Sequence, residues 1–213
     1  RTLTVAAISH DLKTPLARVQ LRLEDYPEDD LRRQIEADLD EMLAMIDSSL
    51  EFLKRDYSGE ALQRIDLGAI IGTVCDDLAD RGHRVELHRK GNMVLTGRRL
   101  ALKRVFANLI GNAVKYGNEA IVNLEGSDRE VRVTIEDRGP GIPADQLEKV
   151  FAPFHRVETS RSRETGGTGL GLTVAQTIIT AHGGSIELKN LERGGLRVAV
   201  LLPAETAKAD SIH

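Results

Sequence analysis

The chain has 213 residues, 41% of them apolar and 29% charged, with a formal net charge of −4, which excludes wholesale disorder and a collagen-like fibre and suits one large domain or two small ones. Three Tyr, four Phe and no Trp, with an acidic balance, argue against nucleic-acid binding by stacking or phosphate contacts, and the single Cys75 excludes a disulfide framework or a cysteine-based zinc site. Residues 1–58 carry 8 Lys/Arg against 13 Asp/Glu, and the remainder 21 against 20, a first sign of two units with different partners.

In chain order, Val5, Ile8, Leu12, Leu16, Val19 and Leu23 repeat at three- and four-residue intervals, one apolar stripe of a helix. Tyr26-Pro27 breaks it, and Asp29 and Asp30 offer acids to the positive end of a second helix. Leu31, Ile35, Leu39, Met42, Ile46, Leu50 and Leu53 continue as a second stripe. Two such helices joined by a short turn make an antiparallel hairpin over residues 1–57. Two hairpins pair into a four-helix bundle, so a homodimer is expected; the alternative is that the hairpin packs on its own chain. Residues 58–64 read as a linker. Helices follow at Ile70–Leu78, Arg98–Val114, Asp145–Val150 and Leu170–Ala181, the last ended by Gly183-Gly184. Short strands are expected at Arg84–Leu87, Met93–Leu95, Ile121–Leu124, Val131–Ile135, Ile186–Leu188 and Leu196–Leu202. This irregular mixture predicts an α+β sandwich over residues 65–203 with a mainly antiparallel sheet, then a frayed tail over 204–213. No window approaches the roughly 18 apolar residues of a membrane span.

His10 lies about 200° from Ile8 around the first helix, so it faces solvent. Pro15 follows inside the same helix, a break that costs roughly 3 kcal/mol. A neutral imidazole is a good nucleophile near pH 7. Asp11 beside it is placed to accept a ring proton, and Thr14, one turn on, is placed to orient a water.

Three further segments suit a nucleotide. Asn108 and Asn112 stand four residues apart on the helix that starts at Arg98, read through to Tyr116, which extends the same line; carboxamides there suit an oxygen-ligated ion with phosphates, and Lys115 stands beside them. Asp137-Arg138-Gly139-Pro140-Gly141-Ile142 follows a strand; its carboxylate can accept from an amino group, and its glycines let a base approach the backbone. Gly166-Gly167-Thr168-Gly169-Leu170-Gly171-Leu172 opens a helix and offers backbone N–H groups to phosphate. The glycine run lacks Lys-Ser/Thr, so it is not a Walker loop, and its context is not that of a Rossmann site.

Together these motifs resemble sensor histidine kinases of two-component signalling. Ser9 to Leu16 resembles the H box, Asn108 to Tyr116 the N box, Asp137 to Ile142 the G1 box, Phe151-Ala152-Pro153-Phe154 the F box and Gly166 to Leu172 the G2 box. The match covers residues 1–203, and the His-Asp-x-x-Thr spelling is most similar to the osmosensor-like branch. The resemblance implies a dimerising helical hairpin followed by a Bergerat-type ATP-binding sandwich. It also implies a phosphotransferase using ATP and Mg2+, with a response regulator receiver domain as partner. His10 is then the phospho-acceptor, Asp11 the general base and Thr14 the residue for dephosphorylating the regulator. Asn112 would ligate Mg2+, with Asn108 and Lys115 near the phosphates and Tyr116 near the base. Asp137 would recognise the adenine amino group, with Gly139, Gly141 and Ile142 in its loop. Thr168, Gly169, Leu170 and Gly171 would cradle phosphate. Residues 152–168 would form a lid whose Arg156 and Arg161 offset phosphate charge. Relatives that hydrolyse ATP carry Glu where Asn108 stands, and Asn cannot take a proton from water. The resemblance further implies a cytoplasmic portion of a membrane-anchored receptor. A regulator phosphatase without kinase activity, or a stand-alone ATPase, are the competing expectations.

Overall fold

The computed structural model describes residues 14–23, 25–27, 29–36, 38–39, 42–43, 60–157 and 169–205. Residues 14–23 are helical and include Pro15, whose ring does not stop the helix that runs on after it. The chain turns at residues 25–26 and is helical again from Asp30. Asp29 explains the restart: its carboxylate accepts the Arg32 N–H at 2.8 Å, the bond an N-cap makes to the third residue of a helix. Arg32 ties the turn down, donating to the Tyr26 carbonyl at 2.8 Å and to Glu36 at 2.7 Å. Leu39 is buried, whereas Leu31, Met42 and Val19 of the two stripes are exposed at 63%, 50% and 39%.

The rest is a sandwich of β1 (Gln63–Asp66), α1 (Leu67–Asp80), β2 (Arg84–Lys90), β3 (Val94–Gly97), α2 (Arg99–Gly117), β4 (Glu119–Gly126), β5 (Glu130–Glu136), α3 (Gly171–Ala181), β6 (Ser185–Asn190) and β7 (Leu196–Pro203). Five strands form a sheet ordered β2-β4-β5-β7-β6, and β1 pairs with β3 apart from it. Strand alternation puts Val122, Ile135 and Val198 in one cross-strand row and Leu124, Val133 and Val200 in the next, all buried. The apolar faces of the three helices cover these rows; Phe106, Leu109, Ile110, Ile71 and Ile178 belong to the same core. Each such side chain contributes about 1.5–3 kcal/mol of burial. The opposite sheet face is polar, with Arg197 ion-paired to Glu136 at 2.8 Å. Among the described residues no helix is long and apolar enough to cross a membrane.

The sheet is mainly antiparallel, as expected, with one parallel pair, β2 and β4, at its edge. Other expectations change. Asp145–Val150 is not one helix but parts of two 3-10 turns, Ala144–Gln146 and Lys149–Phe151. The stretch between Pro143 and Pro153 is too short to offset helix nucleation, and Pro153 pushes Ala152 to an extended ψ of 140°. β1 begins inside the stretch read as linker; only Ile65 of its four residues is buried, so it carries no alternation to read. The first two residues of the expected tail are tied down, Ala204 N–H to the Arg129 carbonyl at 3.0 Å and Glu205 N–H to the Val94 carbonyl at 3.2 Å.

Candidate functional site

α2 is the spine of the site, and both of its ends are fixed. At the start, Glu60 accepts the N–H groups of Leu100 at 2.7 Å and Ala101 at 3.2 Å, satisfying donors that the first helical turn leaves open. The Arg98 N–H is accepted by His182 Nε2 at 3.0 Å, while His182 Nδ1 lies 2.7 Å from the Ile178 carbonyl, an arrangement met by the Nδ1-protonated neutral ring. At the end, Asn118 takes a left-handed φ of 62° and caps back to the Val114 carbonyl. Between these ends, 3.6-residue periodicity aligns Arg104, Asn108, Asn112 and Tyr116 along one side of a cavity of about 400 Å3. That volume lies in the range of small-molecule pockets.

Asp137 follows β5 directly and is 8% exposed. Its Oδ1 accepts the Gly139 N–H at 2.7 Å and the Leu196 N–H at 3.2 Å. Burial pushes its carboxyl up, and these two bonds oppose that rise. α2 reaches Asp137 because residue 117 is Gly: a Cβ there would collide with the Asp137 Cβ. The floor is apolar, with Leu109, Ala113, Val150, Leu170, Val174 and Val198 among its lining. Pro140, Gly141 and Ile142 form one wall, and Gly169, Leu170 and Gly171 another. Gly171 starts α3, and a Cβ on it would lie 3.9 Å from the Asn108 carboxamide, so the third motif abuts the first. Gly169 has a φ of +66°, and its carbonyl accepts the Phe154 N–H at 3.1 Å; Thr173 Oγ1 donates to the Phe151 carbonyl at 2.9 Å. These two bonds join the F-box segment to the start of α3.

The cavity thus brings together Asn108, Asn112, Lys115, Tyr116, Asp137, Gly141, Ile142, Arg156, Gly169, Leu170 and Gly171 of the residues expected from sequence. Gly139 sits just behind it, donating to Asp137. Lys115 Nζ lies 5.5 Å from the centre of the Tyr116 ring, a cation–π distance. Thr14 is helical and exposed. His10, Asp11, Arg161 and Thr168 lie outside the described residues.

Two basic side chains of the lining, Arg104 and His155, were not read from the sequence as site residues. Arg104 stands one turn before Asn108, half-buried, and desolvation lowers its affinity for its proton from the usual arginine value. The i−4 spacing from Asn108 was the signal that could have found it. His155, which lies 3.3 Å from Gln146 Oε1, also lines the cavity, and no motif marks it.

Chemically, the cavity pairs a buried carboxylate in an apolar slot with cations at Arg104, Lys115 and Arg156. That suits a flat heteroaromatic base with an amino group, extended by an anionic tail. Among the described residues no group of three or more His, Cys, Asp or Glu could cage a metal ion. The Asn112 carboxamide oxygen is a suitable hard donor for Mg2+, which binds through few protein ligands alongside phosphate and water.

Fold and cavity define an α/β sandwich of the nucleotide-binding kind. Residues 97–206 match the family of histidine kinase-, DNA gyrase B- and HSP90-like ATPases, and the chain belongs to it. It is 37% identical over 198 residues to the sensor histidine kinase GtrS of Pseudomonas aeruginosa, covering 93% of this chain and 41% of that protein. It is 31% identical to the signal transduction histidine-protein kinase BaeS of Escherichia coli, over 94% of this chain and 46% of that protein. Among solved structures, the histidine kinase domain of the E. coli osmosensor EnvZ is 33% identical over 71% of this chain and 94% of its own, with a TM-score of 0.55. Full-length ShkA in complex with AMPPNP shares the fold over 98% of this chain and 47% of its own, at a TM-score of 0.73 and 22% identity. The chain spans less than half the length of the curated relatives GtrS and BaeS.

Proposed function

We propose that the chain is the kinase portion of a two-component sensor, which transfers the γ-phosphoryl group of ATP to His10 and passes it to an aspartate of a response regulator receiver domain. The observation that carries this reading is the buried Asp137 carboxylate in a cavity lined along one helix by Arg104, Asn108 and Asn112. Adenine fits the apolar slot with its amino group toward Asp137. Arg104, Lys115 and Arg156 supply countercharge along the phosphates, and charge stabilisation is most of what phosphoryl transfer asks of a protein. Mg2+ held with Asn112 would neutralise phosphate charge and orient the γ-group.

In the transfer step, a ring nitrogen lone pair of His10 forms a bond to the γ-phosphorus as the bond from that phosphorus to the β–γ bridging oxygen breaks. ADP leaves with the electron pair, and Asp11 accepts the proton on the other ring nitrogen. Asn108 cannot act as a base toward water, so bound ATP keeps its γ-phosphate until His10 arrives. Thr14, exposed on the first helical segment, would orient the water that dephosphorylates the regulator. The exposed Leu31 and Met42, on stripes of which Leu39 is buried, support pairing of two hairpins into a four-helix homodimer. On this reading the chain is the cytoplasmic part of a longer, membrane-anchored sensor, consistent with its coverage of under half of GtrS.

The test is labelling with γ-labelled ATP and Mg2+. An acid-labile label is expected on the unsubstituted chain, lost in His10→Ala and retained in Thr14→Ala. A mixed dimer of His10→Ala and Asn112→Ala chains tells transfer within a subunit from transfer between subunits. Multiple-turnover phosphate release with no labelled protein would overturn the kinase reading in favour of a stand-alone ATPase.

A further inference from the structure

The loop that walls the base end of the cavity is gripped from outside by a residue in none of the sequence motifs. Asn190 is the last residue of β6. Its Oδ1 accepts the Ile142 N–H at 2.9 Å, and its Nδ2 donates to the Ile142 carbonyl at 2.6 Å. One carboxamide therefore satisfies both backbone groups of one residue, as a neighbouring strand would. Gly141 just before it has a φ of +73°, and a Cβ there would lie 2.6 Å from Asn190 Oδ1. The approach thus needs both the glycine and the short Asn side chain.

The other end of the same loop is gripped by the same hairpin. The Leu196 N–H donates to Asp137 Oδ1 at 3.2 Å, and the Leu196 carbonyl accepts the Asp137 N–H at 3.0 Å. The turn between them is closed by the Leu191 N–H on the Gly195 carbonyl and the Gly194 N–H on the Leu191 carbonyl, both at 3.0 Å. The β6–β7 hairpin therefore holds Asp137 through backbone and Ile142 through one side chain. Between these grips run Arg138, whose side chain pairs outward with Glu119 at 2.6 Å, and then Gly139, Pro140 and Gly141, where two glycines leave the backbone free to take other shapes.

We propose that Asn190 is a positioning residue for the nucleotide base: it closes the Gly139–Ile142 loop in the shape that keeps Asp137 aimed at the base. It touches neither the base nor the phosphates, and it acts through Ile142. The proposal rests on the nucleotide reading of the cavity.

The experiment compares Asn190→Ala and Asn190→Asp in the full chain, by displacement of a fluorescent ATP analogue with ATP and with inorganic tripolyphosphate. About a tenfold rise in Kd for ATP is expected in Asn190→Ala, with the tripolyphosphate Kd moving less than twofold. Asn190→Asp carries a built-in rescue. As a carboxylate it repels the Ile142 carbonyl; as a neutral acid it accepts at one oxygen and donates at the other, as the amide does. Its Kd for ATP relative to the unsubstituted chain is expected to fall toward one between pH 8 and about pH 4, where an ordinary aspartic acid is about half protonated. Without nucleotide, amide exchange at Ile142 is expected to quicken in Asn190→Ala. An unchanged ATP Kd in folded Asn190→Ala, or equal weakening for tripolyphosphate, overturns the base-positioning role. Absence of ATP binding by the unsubstituted chain overturns the nucleotide reading itself, a result that faster Ile142 exchange does not rescue.

Discussion

Asp137→Asn is the substitution on which the site stands or falls. Asp137 is 8% exposed, and both of its backbone hydrogen bonds, from Gly139 at 2.7 Å and Leu196 at 3.2 Å, go to Oδ1. Only the second oxygen remains to accept from an adenine amino group. An Asn that keeps its carbonyl on the two N–H groups turns its NH2 toward the base, so that donor meets donor. A hydrogen bond to a charged group contributes about 1.5–3 kcal/mol, and the facing donors add a similar penalty. A net loss of about 3 kcal/mol corresponds to a roughly 100-fold rise in Kd for ATP. The fold is spared: the two N–H partners survive and a buried charge is removed, so stability at pH 7 shifts by no more than about 1 kcal/mol. Calorimetric titration with ATP measures the first quantity and urea unfolding the second. A folded Asp137→Asn chain that binds ATP as tightly as the original refutes the assignment. The same residue fixes a pH dependence. Because burial raises its carboxyl above the usual 3.8, the folded chain binds this proton more tightly than the unfolded chain. Its contribution to stability is present at low pH and lost as pH rises from 3.8 through the folded value. The carboxamide of the Asp137→Asn variant has no such titration, so the variant gains stability relative to the original across that rise.

Gly117→Ala places a methyl against the Asp137 Cβ and 2.9 Å from the Arg138 nitrogen; a loss of about 1–3 kcal/mol in urea unfolding is expected, with ATP affinity weakened at least tenfold, and a tolerated alanine would refute the close approach. Glu60→Ala removes the acceptor of the Leu100 and Ala101 N–H groups and should lower stability by about 1–2 kcal/mol, measured by chemical denaturation, with no change if the cap is idle. Cys75 is buried, and desolvation, reinforced by Asp76 against the opposing Arg89, pushes its thiol up to about 11; a maleimide at pH 8 should leave it unmodified in the native chain and label it in urea. Phe106→Ala in the core should cost about 3–5 kcal/mol by the same unfolding measurement.

What the sequence determined by itself is whatever depends on neighbours along the chain. The 3.6-residue period placed Asn108, Asn112 and Tyr116 on one side of a helix before any packing was known. Period-two alternation found β4, β5 and β7, because each has one buried face. Asp29 marked the restart of the second helical segment, since a capping carboxylate acts three residues away. Short segments whose structure is imposed from outside could not be read this way. β1 exists because β3 pairs with it, and Asp145–Val150 fails to become a helix because two prolines bound it. Partners distant in sequence were likewise invisible: Glu60 on α2 at 40 residues' separation, Asn190 on Ile142 at 48, and Leu196 on Asp137 at 59. Each acts through, or upon, backbone N–H and carbonyl groups that every residue carries, so no residue type announces it. The motifs are legible because their side chains do the chemistry, while the supports that aim them are decided only when the sheet closes.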